Sequence, residues 1–244
     1  MEQELTLIGH LNELRKRIII VLVAFILSIT AGFLGSPLIL EFIKNQPSAQ
    51  MINWNVFGFT DGFLIYFKCA VLIAILFTLP VLLYQLWAFV KPGLTAKEAK
   101  GSIIYVPISF LLFIVGVSFS YFVVFPMVIH FMSSINQSIG AIETYGISQY
   151  FTFMFNIILP ISIIFEMPVV IVFLTKIGIL NPFALKKMRK ISYFVLVIVG
   201  VSITPPDFIS DVLIIIPLLL LFELSIVCSH WTYKKRMRDS KDLN

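Results

Sequence analysis

Between Ile157 and Leu174 the chain is almost wholly apolar, yet it carries one carboxylate, Glu166, with Pro160 and Pro168 on either side. A run of this length can cross a bilayer, and an ionised group near its middle costs roughly 3 kcal/mol on insertion scales. Each proline removes a backbone donor and bends the axis, which lipid tolerates only where neighbouring helices or a water-lined cavity satisfy the freed carbonyls. The stretch predicts a bent helix that faces protein or water and turns its acid inward.

Composition extends this reading to the whole chain. Of 244 residues, 59% are hydrophobic and 13% charged, and the mean hydropathy of +0.99 excludes a soluble domain. Cys69 and Cys228 fall inside apolar runs, and His10, His130 and His230 are far apart, so neither a disulfide, a metal site nor a cofactor is expected. Arg15-Lys16-Arg17 followed by Ile18 to Phe33 has the outline of a signal peptide. No small-x-small cleavage site follows it, so it is read as a retained first span.

The expected fold is an all-α membrane protein of one domain, with six transmembrane helices at about 18–34, 62–90, 102–125, 150–174, 191–204 and 211–231. Leu7, Leu11 and Leu14 share a helical face, which predicts a short surface helix before the first span. Pro37 to Lys44 predicts another short helix on the far side. Trp54 and Phe57 suit interfacial anchors in the loop that follows, and 133–149 is read as a second loop on that side. The fifth apolar stretch spans only about 21 Å as a helix, against a hydrocarbon core of about 30 Å, so the last two spans should be short or tilted. Assigning the loops alternately to two sides puts 16 of the 18 Lys and Arg on one of them. The positive-inside rule then places both termini in the cytoplasm. No internal repeat appears, so an inverted-repeat transporter has no support.

Glu166 lies about 24 Å along its helix from Tyr150 and about 15 Å from Lys176, and Glu223 lies about 12 Å from Trp231, so both are carboxylates within the membrane. Such groups mark function or a buried hydrogen bond to a neighbouring span. At the basic side, Glu13 and Glu98 are the only acids in the membrane-proximal segments before the third span, set among Arg15, Lys16, Arg17, Lys97 and Lys100. Each could take a guanidinium in a forked pair. Each could equally pair with its own neighbours, Glu13 with Arg17 and Glu98 with a loop lysine, as solvated surface charge. An enzyme fits poorly. There is no phosphate-binding glycine loop or H-E-x-x-H zinc motif, and Asp207 and Asp211 sit at an external turn rather than facing each other within the bilayer. Basic and aromatic patches for nucleic acid are absent.

Five local motifs occur in order: HLNELRKR at His10 to Arg17, YQLWAFVKPGL at Tyr84 to Leu94 followed by Glu98, FSYFVVFP at Phe119 to Pro126, FEMPV at Phe165 to Val169, and TPPD at Thr204 to Asp207. Together they resemble TatC, the multispanning core of the twin-arginine protein translocase. The resemblance implies a cupped bundle in the bacterial cytoplasmic membrane that receives twin-arginine signal peptides. It also implies export of folded proteins with single-span partners, TatA-type alone or TatA-type together with TatB-type, driven by the proton motive force. By the same resemblance the arginines would be read by Glu13 and Glu98, supported by Arg15, Phe89 and Pro92. Glu166 would be the polar point of the cupped face, and Pro37, Tyr121 and Asp207 would shape the external caps. Partner helices would contact the region of Thr204 and Asp211, within a homo-oligomeric complex surrounded by lipid. Asp211 replaces an uncharged residue of many relatives and alters the polarity expected there. A small-solute or proton transporter centred on Glu166, and a scaffold that gathers single-span partners without binding signal peptides, are the competing readings.

Overall fold

The computed structural model describes residues 7–50, 54–93, 101–203 and 208–241. Apart from an isolated backbone bridge between Asn55 and Gly146, the described residues form helices and their connections. In chain order these are α1 (Leu7–Lys44), α2 (Pro47–Gln50), α3 (Asp61–Val90, closed by a 3-10 turn at Lys91–Gly93), α4 (Tyr105–Phe119), a π-helical stretch (Ser120–Val124), α5 (Phe125–Ser138), α6 (Ile147–Ile164), α7 (Met167–Lys176), α8 (Pro182–Lys187), α9 (Arg189–Ile203) and α10 (Phe208–Lys241).

Among the described residues, five stretches are long and apolar enough to cross a membrane: Leu11–Lys44, Asp61–Gly93, Tyr105–Ser138, Ile147–Lys176 and Asp211–Arg238. The second matches its expected bounds to within a few residues. Three others run beyond them. The anticipated surface helix, first span and far-side helix are one continuous helix of 38 residues, about 57 Å long. Arg, Lys and Glu are good helix formers, so charges that mark a membrane boundary do not mark a helix end. The third span continues to Ser138 and takes up the start of the expected loop at 133. Pro126 has no N–H for the Phe122 carbonyl, and the chain absorbs the defect by slipping one residue, so that the Phe125 N–H donates to the Ser120 carbonyl. The last helix runs past 231 to Lys241. In contrast α9 has 15 residues, about 22 Å.

The bend predicted around Glu166 is a break. Ile164 ends α6 and Met167 begins α7, with Phe165 and Glu166 in the turn between them. Pro168 explains its place, since a proline fits the first turn of a helix and not its interior.

Hydrocarbon gives helices no reason to associate through apolar area alone, so small residues and polar contacts set the seams. Along α1 and α3, a Cβ on Gly32 would lie 2.7 Å from the Ala70 carbonyl oxygen. Nearby, the Ser36 hydroxyl bridges the Gly32 and Tyr66 carbonyls at 2.8 and 3.1 Å. The α4–α6 seam has the same character: a Cβ on Gly116 would be 2.8 Å from the Phe165 Cβ. Thr175 of α7 and Ser229 of α10 share a buried hydrogen bond of 2.7 Å. Phe151, Met154, Ile157, Ile158 and Ile161 make α6 the centre of the core. The far ends of the helices are closed by rings, with Trp54 against Tyr150 and Phe151 at 6.0 and 5.8 Å and the Lys44 ammonium 5.2 Å over Trp54.

Candidate functional site

The residues expected to recognise arginines divide between the start of α1 and the end of α3. Glu13 and Arg17, one turn apart on α1, form an ion pair and are half-buried. The Arg17 guanidinium also donates to the Ala88 carbonyl at 2.9 Å and the Gln85 side chain at 3.2 Å. One side chain therefore ties Glu13 to the last turns of α3, beside the half-buried Phe89 and just before the exposed Pro92. The local pairing of Glu13 with Arg17 foreseen from spacing is present, but it belongs to a bridge between helices rather than to a loose surface pair. Arg15 is exposed. Trp87 is fixed nearby by its indole N–H on Ser102, 3.1 Å, and Lys91 lies over its ring at 5.2 Å. Glu98 lies outside the described residues.

Glu166 is 6% exposed. One carboxylate oxygen accepts a hydrogen bond from the Ser109 hydroxyl of α4, and the other is buried with no partner among the described residues. The break before Pro168 places this carboxylate at the N-terminal end of α7, where the helix dipole favours negative charge. Ser109 was not singled out from the sequence. Its signal was there: Ser109, Phe113, Gly116 and Ser120 recur at helical spacing and are all buried, and mostly small residues at that spacing mark a close helix seam.

Glu223 has a different setting. Its carboxylate accepts from the Arg189 guanidinium at 2.7 Å and from the Tyr193 hydroxyl, both on α9. It fastens the short α9 to α10 and does not meet Glu166.

Of the residues expected at the external caps, Tyr121 is buried in the π-helical stretch, stacked on Phe125 at 6.3 Å and as near to Phe42 of α1. Pro37 is exposed inside α1, where it borders a shallow groove between α1 and α3. Asp211 is half-buried in the first turn of α10. Thr204 and Asp207 lie outside the described residues.

Arg17 is the residue that sequence reasoning passed over as a local partner. Its three contacts tie Glu13 to Gln85 and Ala88 in the last turns of α3, just before Phe89 and the exposed Lys91, Pro92 and Gly93.

The sequence profile described as Sec-independent protein translocase protein (TatC) matches residues 9–217. The chain is 46% identical to the Sec-independent protein translocase protein TatCd of Bacillus subtilis, over 98% of this chain and 97% of that one. It is 42% identical to TatC of Halalkalibacterium halodurans, over 96% of this chain and 92% of that one. In fold it is similar to a crystal structure of the twin arginine translocase receptor TatC, with a TM-score of 0.78 and 30% identity, covering 91% of this chain and 99% of that one.

Proposed function

The chain belongs to the TatC family, multi-pass membrane proteins of the Sec-independent twin-arginine translocase, and from that premise we propose that its α1–α3 end is the receptor surface for twin-arginine signal peptides. Glu13 and Glu98 take the two arginines, and Arg15, Phe89 and Pro92 support them. The observation that carries this reading is the Arg17 bridge, which holds a carboxylate from one helix against the end of another and so presents charge at a defined place. A guanidinium on a carboxylate makes a charge-assisted bond worth roughly 1.5–3 kcal/mol, one to two decades of affinity. Lysine keeps the charge and loses the fork.

The same reading makes α9 a sixth crossing, which the bilayer meets by thinning around it, and puts both termini in the cytoplasm. Pro37, Tyr121 and Asp207 shape the external cap, and Thr204 and Asp211 meet TatA-type and TatB-type spans. Several copies assemble in lipid, and the proton motive force drives export.

The test is photocrosslinking and affinity measurement in nanodiscs, with an Arg-Arg signal peptide and its Lys-Lys version. Glu13→Gln with Glu98→Gln should lower affinity for the Arg-Arg peptide about 100-fold or more while the bundle stays folded. Unchanged binding by a folded double variant removes the assignment. Ion or solute flux through vesicles holding this chain alone would favour the transporter reading centred on Glu166.

A further inference from the structure

At the end of the bundle away from the basic loops, α1 and α3 part around a groove of about 300 Å³. Its walls are apolar, formed by Leu40 of α1, Ile65 and Tyr66 of α3, and Ile147 at the start of α6. Its rim is charged: Glu41 and Lys44, both exposed, border it from α1. Residues three apart on a helix have Cβ atoms about 5–6 Å from each other and pair readily when their charges are opposite. Among the described residues the ion pairs are Glu13 with Arg17 and Glu223 with Arg189, and these two make none. Lys44 is held elsewhere, its ammonium 5.2 Å over the Trp54 ring. That ring is fixed in turn, by its indole N–H on the Ala49 carbonyl at 3.2 Å and by contact with Tyr150 and Phe151. The nearby acid, Asp61, is spent on the N–H groups of Phe57 and Gly58 at 3.1 and 2.9 Å. The rim therefore offers one anion and one cation side by side, each with capacity left.

Toward the middle of the membrane the character changes. The face of α1 that carries Glu41 runs through Pro37 to Phe33, about 12 Å deeper. Phe33 is exposed and meets the rings of Phe63 and Tyr66 at 6.1 and 5.7 Å, and Phe67 stacks on Phe63 at 6.5 Å. Charges at the level where both helices end, above an aromatic wall reaching into the apolar layer, have the order of a lipid: headgroup outside, acyl chain within.

We propose that this groove is a binding site for a phospholipid of the phosphatidylethanolamine type, with its phosphate on Lys44, its ammonium on Glu41 and an acyl chain along the Phe33 wall. The rim charges select the headgroup. A phosphate and a primary ammonium joined by a short ethanolamine link match a cation and an anion one helical turn apart. An anionic headgroup would satisfy Lys44 and set its own charge against Glu41. A choline headgroup has both charges, but its quaternary nitrogen carries no N–H and cannot make the charge-assisted bond to the carboxylate. The aromatic wall selects a lipid over a soluble zwitterion, which has no chain to lay there. The site is at the opposite end of α1 from Glu13, and its test involves no signal peptide, so it stands or falls apart from the receptor reading.

The experiment offers the full chain, delipidated in detergent, equal amounts of phosphatidylethanolamine, phosphatidylcholine and phosphatidylglycerol with matched acyl chains, and counts retained lipid by native mass spectrometry. Gly62 lines the groove, and a Cβ there would meet nothing within 4 Å. Gly62→Leu therefore fills the groove without strain, and the lipid lost on that change is the lipid of the groove. In that fraction the ethanolamine lipid should exceed the choline lipid about tenfold. Glu41 is exposed, so Glu41→Gln keeps the fold whatever Gly62→Leu does, and it should cut the preference to about twofold. Lys44→Met should lower retention of both zwitterionic lipids about fivefold. No lipid lost from a Gly62→Leu chain that melts with the parent overturns the proposal, as does an ethanolamine preference untouched by Glu41→Gln. Equal loss of ethanolamine and choline lipid removes the headgroup reading. Loss mainly of the glycerol lipid would assign the groove to an anionic headgroup on Lys44 and overturn it too.

Discussion

Glu223 is held by two partners, an arginine and a tyrosine of the adjoining helix, while Glu166 has one serine hydroxyl and an oxygen with no partner among the described residues. The first is about a third exposed and the second is buried. A carboxylate that is paired and partly wet is a fastener. One that is buried, half-satisfied and set in a break between helices is retained against a cost, and that cost points to use by something that approaches it.

Variants on the two sides should show the difference. The largest effect is expected on the Glu166 side but not at the acid itself: Gly116→Leu forces α4 and α6 apart where a Cβ already falls 2.8 Å from Phe165. Unfolding in detergent should become easier by about 3 kcal/mol, and a variant as stable as the parent would mean the seam is loose. Glu223→Leu strands the Arg189 guanidinium and should cost about 1–2 kcal/mol, discounted for its exposure. Adding Arg189→Leu should recover part of the loss, and strict additivity in that cycle would deny the fastening role. Ser109→Ala removes the one donor to Glu166 among the described residues and should cost about 1 kcal/mol, an effect roughly halved in a Glu166→Gln background. Glu166→Gln alone should move stability least, by less than about 1 kcal/mol, because the amide keeps an acceptor for Ser109 and drops the charge. Export of a folded reporter in cells relying on this chain should nonetheless fall with Glu166→Gln and persist with Glu223→Gln. The reverse pattern would exchange the two assignments.

Much of this was legible in the residues. The apolar runs located the long helices, α3 within a residue or so, and the two prolines around Glu166 announced a distortion there. What the sequence hid was continuity and partnership. Arg15-Lys16-Arg17 and Pro37 read as boundaries because they suit a membrane surface and a helix end, yet α1 passes through both. The π-helical slip that carries the chain past Pro126 depends on backbone geometry that no spacing reveals. Two acids in similar apolar settings could not be told apart, because the decision rests on which helix lies opposite, α4 with Ser109 or α9 with Arg189 and Tyr193. Arg17 was missed for the same reason: its i, i+4 partner is visible in the sequence and its carbonyl on α3 is not.

The unbroken α1 makes the molecule carry its own ruler. A rod of about 57 Å in a layer about half as thick must emerge from it. When the bilayer thins or thickens, the emerging length changes while the separation of the rod's ends does not. Glu13 near one end and Phe42 near the other therefore belong to one helix, and whatever length the layer does not cover is divided between the charged end and the aromatic end.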